Sequence, residues 1–184
     1  MGVWEITNSL VNDVAMLVMT AKDRGDPDSG KEFDVNGKPL RWRRRPSLEL
    51  YIAKGRKTPK PRADLSPFLP GVLVLNAKAR AAIGDFLAQF GQLLEIDVVG
   101  QVEYFYNVTN VIPCIDRDRS EKRAAGTISK EVFNESVVPL PPAVFKDPLT
   151  AGTKIYVNDA AKSVLEHQIA EFGITGMHFA RRGE

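Results

Sequence analysis

The chain has 184 residues, 43% of them hydrophobic and 26% charged, with a formal net charge of +2. That supplies apolar material for one folded core, while the longest uninterrupted apolar run, 14–19, falls far short of the roughly 20 residues of a membrane-spanning helix. The single cysteine, Cys114, cannot form an internal disulfide, and residues 1–5 lack a basic-then-apolar leader, so the expectation is a cytoplasmic protein with no membrane partner.

In chain order, 3–20 is apolar-rich and ends in a buried strand at 14–19. Residues 22–37 are dense in Asp, Gly, Pro and Ser and predict an exposed loop. Charge then changes character. Residues 1–37 hold seven acids and three bases, and 63–184 hold fifteen acids and twelve bases. Between them, 38–62 holds ten bases and one acid, Glu49. Within that segment 47–52 alternates as a strand, and 54–67, with three prolines, predicts an extended loop.

From 71 onward the grammar is regular. Residues 72–75 predict a strand, and Asn76 is a helix N-cap, its side chain able to accept from a free backbone N–H. Ala79, Ile83, Phe86, Leu87 and Phe90 form one helical face, and Gly91 is placed as a left-handed C-terminal cap. Residues 93–99 and 101–112 predict two strands around Gly100, the second rich in aromatic and β-branched residues. Short apolar pieces at 137–145 are broken by prolines that favour sheet edges. The pattern then returns: strand 154–157, cap Asn158, a face of Ala161, Val164, Leu165, Ile169 and Phe172, and a terminating Gly173. At an offset of 82, Asn76, Ala79, Ala88, Phe90 and Gly91 match Asn158, Ala161, Ala170, Phe172 and Gly173. An old duplication and two independent strand–helix–strand units both fit these identities. The whole predicts a single α+β domain, mostly antiparallel, with a loop-rich region over 1–67 and a core over 68–184.

No motif in the sequence specifies catalysis. His167 and His178 are eleven residues apart without a nearby Cys, so no zinc site is expected. Cys114 lies in an apolar setting and fits a buried inert thiol better than a nucleophile. Asp116 and Asp118, in a run of alternating charges, could face a partner or neutralise their neighbours in a solvated loop. The sharpest surface feature is Arg41-Trp42-Arg43-Arg44-Arg45. Arginine with an interleaved aromatic suits an acidic protein surface or, less well where the remainder of the chain is mildly acidic, nucleic acid. It also suits a solvated strand edge kept from self-pairing by charge.

An ordered series over 70–180 resembles the bacterial immunity proteins of polymorphic toxin systems catalogued as immunity family eleven. Its members here are 76–80, the strand ending in 106–111, the acidic turn 115–120, Val144-Phe145-Lys146, 155–158 and 173–179. The resemblance implies a non-enzymatic inhibitor, without cofactor, that binds a cognate toxin protein in the producing cell, with nuclease-type toxins the expected class. On that reading Arg41, Arg43, Arg44 and Arg45 steer association, Trp42, Tyr104 and Tyr106 anchor it, and Asp116 and Asp118 offer acidic contacts. The alternative is a nucleic-acid-binding module centred on 38–62.

Overall fold

A computed structural model describes residues 2–8, 13–24 and 32–183. The α+β architecture holds: two sheets and a small hairpin, with helices α1 (Ala21–Arg24), α2 (Ala77–Leu87) and α3 (Asp159–Phe172) among the described residues. The six-stranded sheet contains β2 (Leu17–Met19), β3 (Ser47–Leu50), β4 (Leu65–Ser66), β5 (Leu73–Leu75), β6 (Gly91–Val98) and β7 (Gln101–Val108), in the order β2-β3-β6-β7-β5-β4. Only β3 on β6 is parallel. The sheet curls: Ala15 N–H bonds Pro61 O and Leu17 N–H bonds Pro67 O, so β2 reaches back to the strap around β4. The four-stranded sheet is antiparallel and contains β1 (Val3–Thr7), β10 (Val144–Phe145), β11 (Tyr156–Asn158) and β12 (His178–Arg182), in the order β10-β11-β1-β12. The hairpin of β8 (Glu121–Lys122) and β9 (Ile128–Lys130), not foreseen from the sequence, stands apart and exposed.

The repeat is structural. In one half β5 and β6 both lie antiparallel to β7, with α2 crossing between them and β4 outside β5. In the other, β11 and β12 both lie antiparallel to β1, with α3 crossing and β10 outside β11. The middle strand comes from a hairpin in the first half and from the start of the chain in the second. Equivalence extends to side chains. Leu75, Tyr104 and Glu95 are register partners in one half; Val157, Trp4 and Arg181 are the same three positions in the other. Arg80 lies 5.7 Å over the Tyr104 ring, and Lys162, 82 residues on, lies 4.5 Å over the Trp4 ring. Asn76 accepts from Ala79 N–H, and Asn158 from Ala161 N–H.

The caps part company at the helix ends. Gly173 takes the left-handed conformation at φ 58° and its N–H closes on Ile169 O. Gly91 does not: α2 ends at Ala88, and Gly91 opens β6 where a Cβ would run into the Asn107 carbonyl of β7. Close strand approach, rather than capping, requires glycine there.

Three apolar clusters hold the layers. The largest is shared by both halves and both long helices, through Leu73, Leu75, Ile83, Leu87 and Tyr106 on one side and Ile6, Val157, Ala161 and Leu165 on the other. Behind the six-stranded sheet Leu17, Phe33, Leu48, Val74, Ile96 and Phe105 form a second. Behind the four-stranded sheet Val3, Cys114, Phe133, Phe145 and Tyr156 form a third.

Candidate interaction surface

The basic segment is an extended strap laid along β6. Leu40 exchanges bonds with the Gln92 side chain (2.7 and 3.2 Å), Arg45 pairs with Glu95, and Asp97 N–H bonds Pro46 O. An extended chain turns successive side chains to opposite faces, and here Arg41, Arg43 and Arg45 are exposed while Trp42 and Arg44 are turned inward. The sequence therefore does not present five contact residues on one face; it presents three.

The inward pair has structural partners, and Trp42, expected as an anchor, is part-buried against the core. Its indole N–H donates to Glu32 O (2.7 Å), and its ring packs edge-on against Phe33 and Phe105 at centroid distances of 6.0 and 5.3 Å. Arg44 Nη1 lies 2.6 Å from the buried Asp23 carboxylate, which also accepts from Ser47 N–H and Thr20. Burial alone would raise the Asp23 pKa, but Arg44, Ser47 and Thr20 together hold it below the usual carboxylate value. Arg41 and Arg43 make no ion pair among the described residues.

Tyr106 is also corrected: it is fully buried, its hydroxyl donates to Leu87 O (2.9 Å), and burial raises its pKa. Tyr104 is half-buried under Arg80. Asp116 closes its own turn, accepting from the N–H groups of Asp118 and Arg119 and from Arg119 Nε (2.6 Å); these bonds hold its pKa below the ordinary value. Asp118 is exposed. Neither acid lies on the arginine strap.

The rest of the basic segment divides likewise. Arg62 forks onto Glu103 at 2.7 and 2.8 Å and reaches Ser66, an ion pair largely inside the curled sheet. Beyond β3, a cavity of about 180 Å³ is lined by Val14, Ala15, Met16, Tyr51 and Ala53 among others, with Arg56 and Lys60 at its rim. Tyr51 and Ile52 beside it are roughly half exposed.

Sequence reasoning missed two buried charge sites. Lys146 is fully buried, and its ammonium donates to the carbonyls of Val35 (2.6 Å), Gly71 (3.0 Å) and Ala151 (2.7 Å); burial lowers its pKa to about 8. Lys154 bridges Glu131 and Glu5, Arg182 also holds Glu5 (2.8 Å), and Tyr156 donates to Glu131 (3.2 Å). A lysine one place after an apolar strand, as Lys146 follows β10, or two places before one, as Lys154 precedes β11, carries no periodic signal of burial, so neither could be found from spacing. The Cys114 thiol is buried and burial, with Asp147 adding, pushes its pKa up to about 12, matching the inert thiol read from its apolar context. His167 stands in solvent, as its helical position implied.

No protein-family model matches this chain, and no curated protein matches it. Among the described residues no helix is long and apolar enough to cross a membrane.

Proposed function

We propose that this chain is a non-enzymatic immunity protein that binds and neutralises a cognate toxin domain, and that the toxin meets it on the face bearing Arg41, Arg43 and Arg45. The observation that supports this reading is the strap itself: Arg41, Arg43 and Arg45 are exposed, Arg41 and Arg43 without an ion pair among the described residues, on a backbone held from inside by Trp42 and Arg44. Fixed charge accelerates association with an acidic surface and costs little ordering on binding. The small apolar slot near Tyr51, with its cationic rim, offers a socket for a side chain of the same partner. Nucleic acid is the weaker reading, because the ring it needs for stacking, Trp42, faces the core.

The reading predicts a toxin domain encoded beside this chain, and that domain provides the test. Binding of the Arg41→Ala, Arg43→Ala variant, measured by surface plasmon resonance at several salt concentrations, should show association slowed about tenfold and a shallower salt dependence. Unchanged kinetics and salt slope remove the strap from the interface. Salt-labile retention on immobilised nucleic acid, with no toxin binding, transfers the function to the alternative.

A further inference from the structure

Beyond β3 the chain builds a small preformed slot. Tyr51 N–H bonds Met16 O (2.8 Å) and Ala15 N–H bonds Pro61 O (2.8 Å), so 14–16 is tied on one side to the end of β3 and on the other to the loop that follows it. Between these ties lies the cavity of about 180 Å³, with Val14, Met16, Tyr51, Ala53 and Pro59 in its walls. An apolar cavity of about 150 Å³ holds a benzene ring, so this one seats a phenylalanine side chain, and the flexible Met16 thioether adapts to a ring. Tyr51 and Ile52 beside it remain 49% and 47% exposed, and Val99, at the same end of the sheet because β3 runs parallel to β6, is 61% exposed.

The charge around the slot is mainly positive. From 51 to 60 there are four bases and no acid. Residues 53–56 form a turn closed by Arg56 N–H on Ala53 O (3.0 Å), with Gly55 at φ 85°. The turn carries Lys54 and Arg56, with Lys57 next to it; all three are exposed and make no ion pair among the described residues. Lys60, also in the lining, is already engaged. The adjoining carboxylates along the chain are Asp13, beside Val14, and Glu49, which Arg24 holds at 3.2 Å.

We propose that this slot seats a single phenylalanine of the partner, carried on an acidic segment whose carboxylates meet Lys54, Arg56 and Lys57. The inference deepens the immunity reading and rests on it for one point, that the partner is a protein. An apolar socket ringed by charge is the arrangement of an interface anchor, with a ring desolvated at the centre and polar contacts at the rim. A second copy of this chain is the weaker occupant. Its best imitation of the segment is the exposed Glu171-Phe172 pair ending α3. Seating that pair in a neighbour's slot leaves the neighbour's own pair free, a head-to-tail contact that propagates unless a ring closes it.

The probes are three fluorescein-labelled peptides, used with the full chain. The first has phenylalanine at the centre of four glutamates between Gly-Ser flanks. The second has serine in place of the phenylalanine, and the third keeps the phenylalanine but exchanges the glutamates for lysines. Fluorescence anisotropy should show the first binding at least tenfold more tightly than either of the others. Ala53→Phe, which puts a ring in the slot's own wall, should bring the first peptide down to the affinity of the second. Lys54→Glu, Arg56→Glu and Lys57→Glu together should make the third peptide the preferred one, a gain that loss of folding cannot imitate. Equal binding of the first two peptides, no binding, or tighter binding of a labelled oligothymidine than of the first peptide overturns the proposal. So does peptide binding that disappears as the chain self-associates in sedimentation velocity. Discrimination among the peptides without any binding of the toxin domain keeps the slot and removes the immunity reading. Toxin binding that Ala53→Phe leaves unchanged, with no discrimination among the peptides, does the reverse.

Discussion

At the scale of single residues, buried cations separate fold from function in this chain. Among the described residues Lys146 has no ion pair; its ammonium donates instead to three carbonyl oxygens from three separate segments. Desolvation favours its neutral form, hence the fall from an ordinary value of 10.5 to about 8. The sign of the linkage follows. Between about pH 8 and 10.5 the unfolded chain binds the proton and the folded chain has released it, so this residue's contribution to stability rises with pH across that window. Lys146→Met should destabilise the protein by about 3 kcal/mol near pH 7 by stranding buried carbonyls. The gap in unfolding free energy between wild type and variant should widen as pH is raised from 8 to 10.5. Urea titrations at three pH values measure it, and a flat gap would mean that Lys146 keeps its proton throughout.

At the scale of elements, what was legible in the sequence is what depends on local chemistry. Asn76 and Asn158 were readable as caps because N-capping needs only one side chain and the turn that follows it. The helical faces were readable for the same reason except at Phe172, which ends its helix exposed instead of on the apolar face, and so was the aromatic strand β7. Long-range approach was not legible. Gly91 looked like Gly173, yet its role is set by the Asn107 carbonyl of a strand sixteen residues away. Trp42 and Arg44 looked like their arginine neighbours, and only the strap's alternation against β6 separates inside from outside. The two caps also differ in what else they hold. Asn76 adds a bond to Asp64, whereas the buried Asn158 accepts from Ala143 N–H and donates to Pro139 O and Pro141 O. Asn76→Ala should therefore cost about 1 kcal/mol, the usual loss of a cap. Asn158→Ala should cost about 3 kcal/mol, because it also leaves buried partners unmet. Chemical denaturation of the two variants checks the order, and equal losses would deny the second cap its role in tying residues 139–143 to β11.

At the scale of the whole molecule, the two similar halves raise the question of whether each is a folding unit. Their packing argues against it. Neither helix has a core of its own: Leu87 and Ile83 of α2 share one cluster with Ala161 and Leu165 of α3, so separating the halves exposes the inner faces of both. Backbone bonds reinforce the join, with Leu65 N–H on Thr175 O and Lys146 N–H on Asn110 O each crossing from one half to the other. The chain has two tryptophans, and they fall one to a half, Trp4 on β1 and Trp42 on the strap beside β6. Trp4→Phe and Trp42→Phe variants therefore give fluorescence reporters of the opposite halves. In urea, both should unfold with a midpoint coincident with that of far-ultraviolet circular dichroism for the same variant. Adding Ile83→Ala or Leu165→Ala to either variant should lower stability by about 3 kcal/mol. Both reporters should register that loss equally, whichever half carries the cavity. A cavity in α2 that moves the Trp42 signal while sparing Trp4 would mean that the shared cluster does not couple the two repeats, and that each β–α–β unit stands on its own contacts.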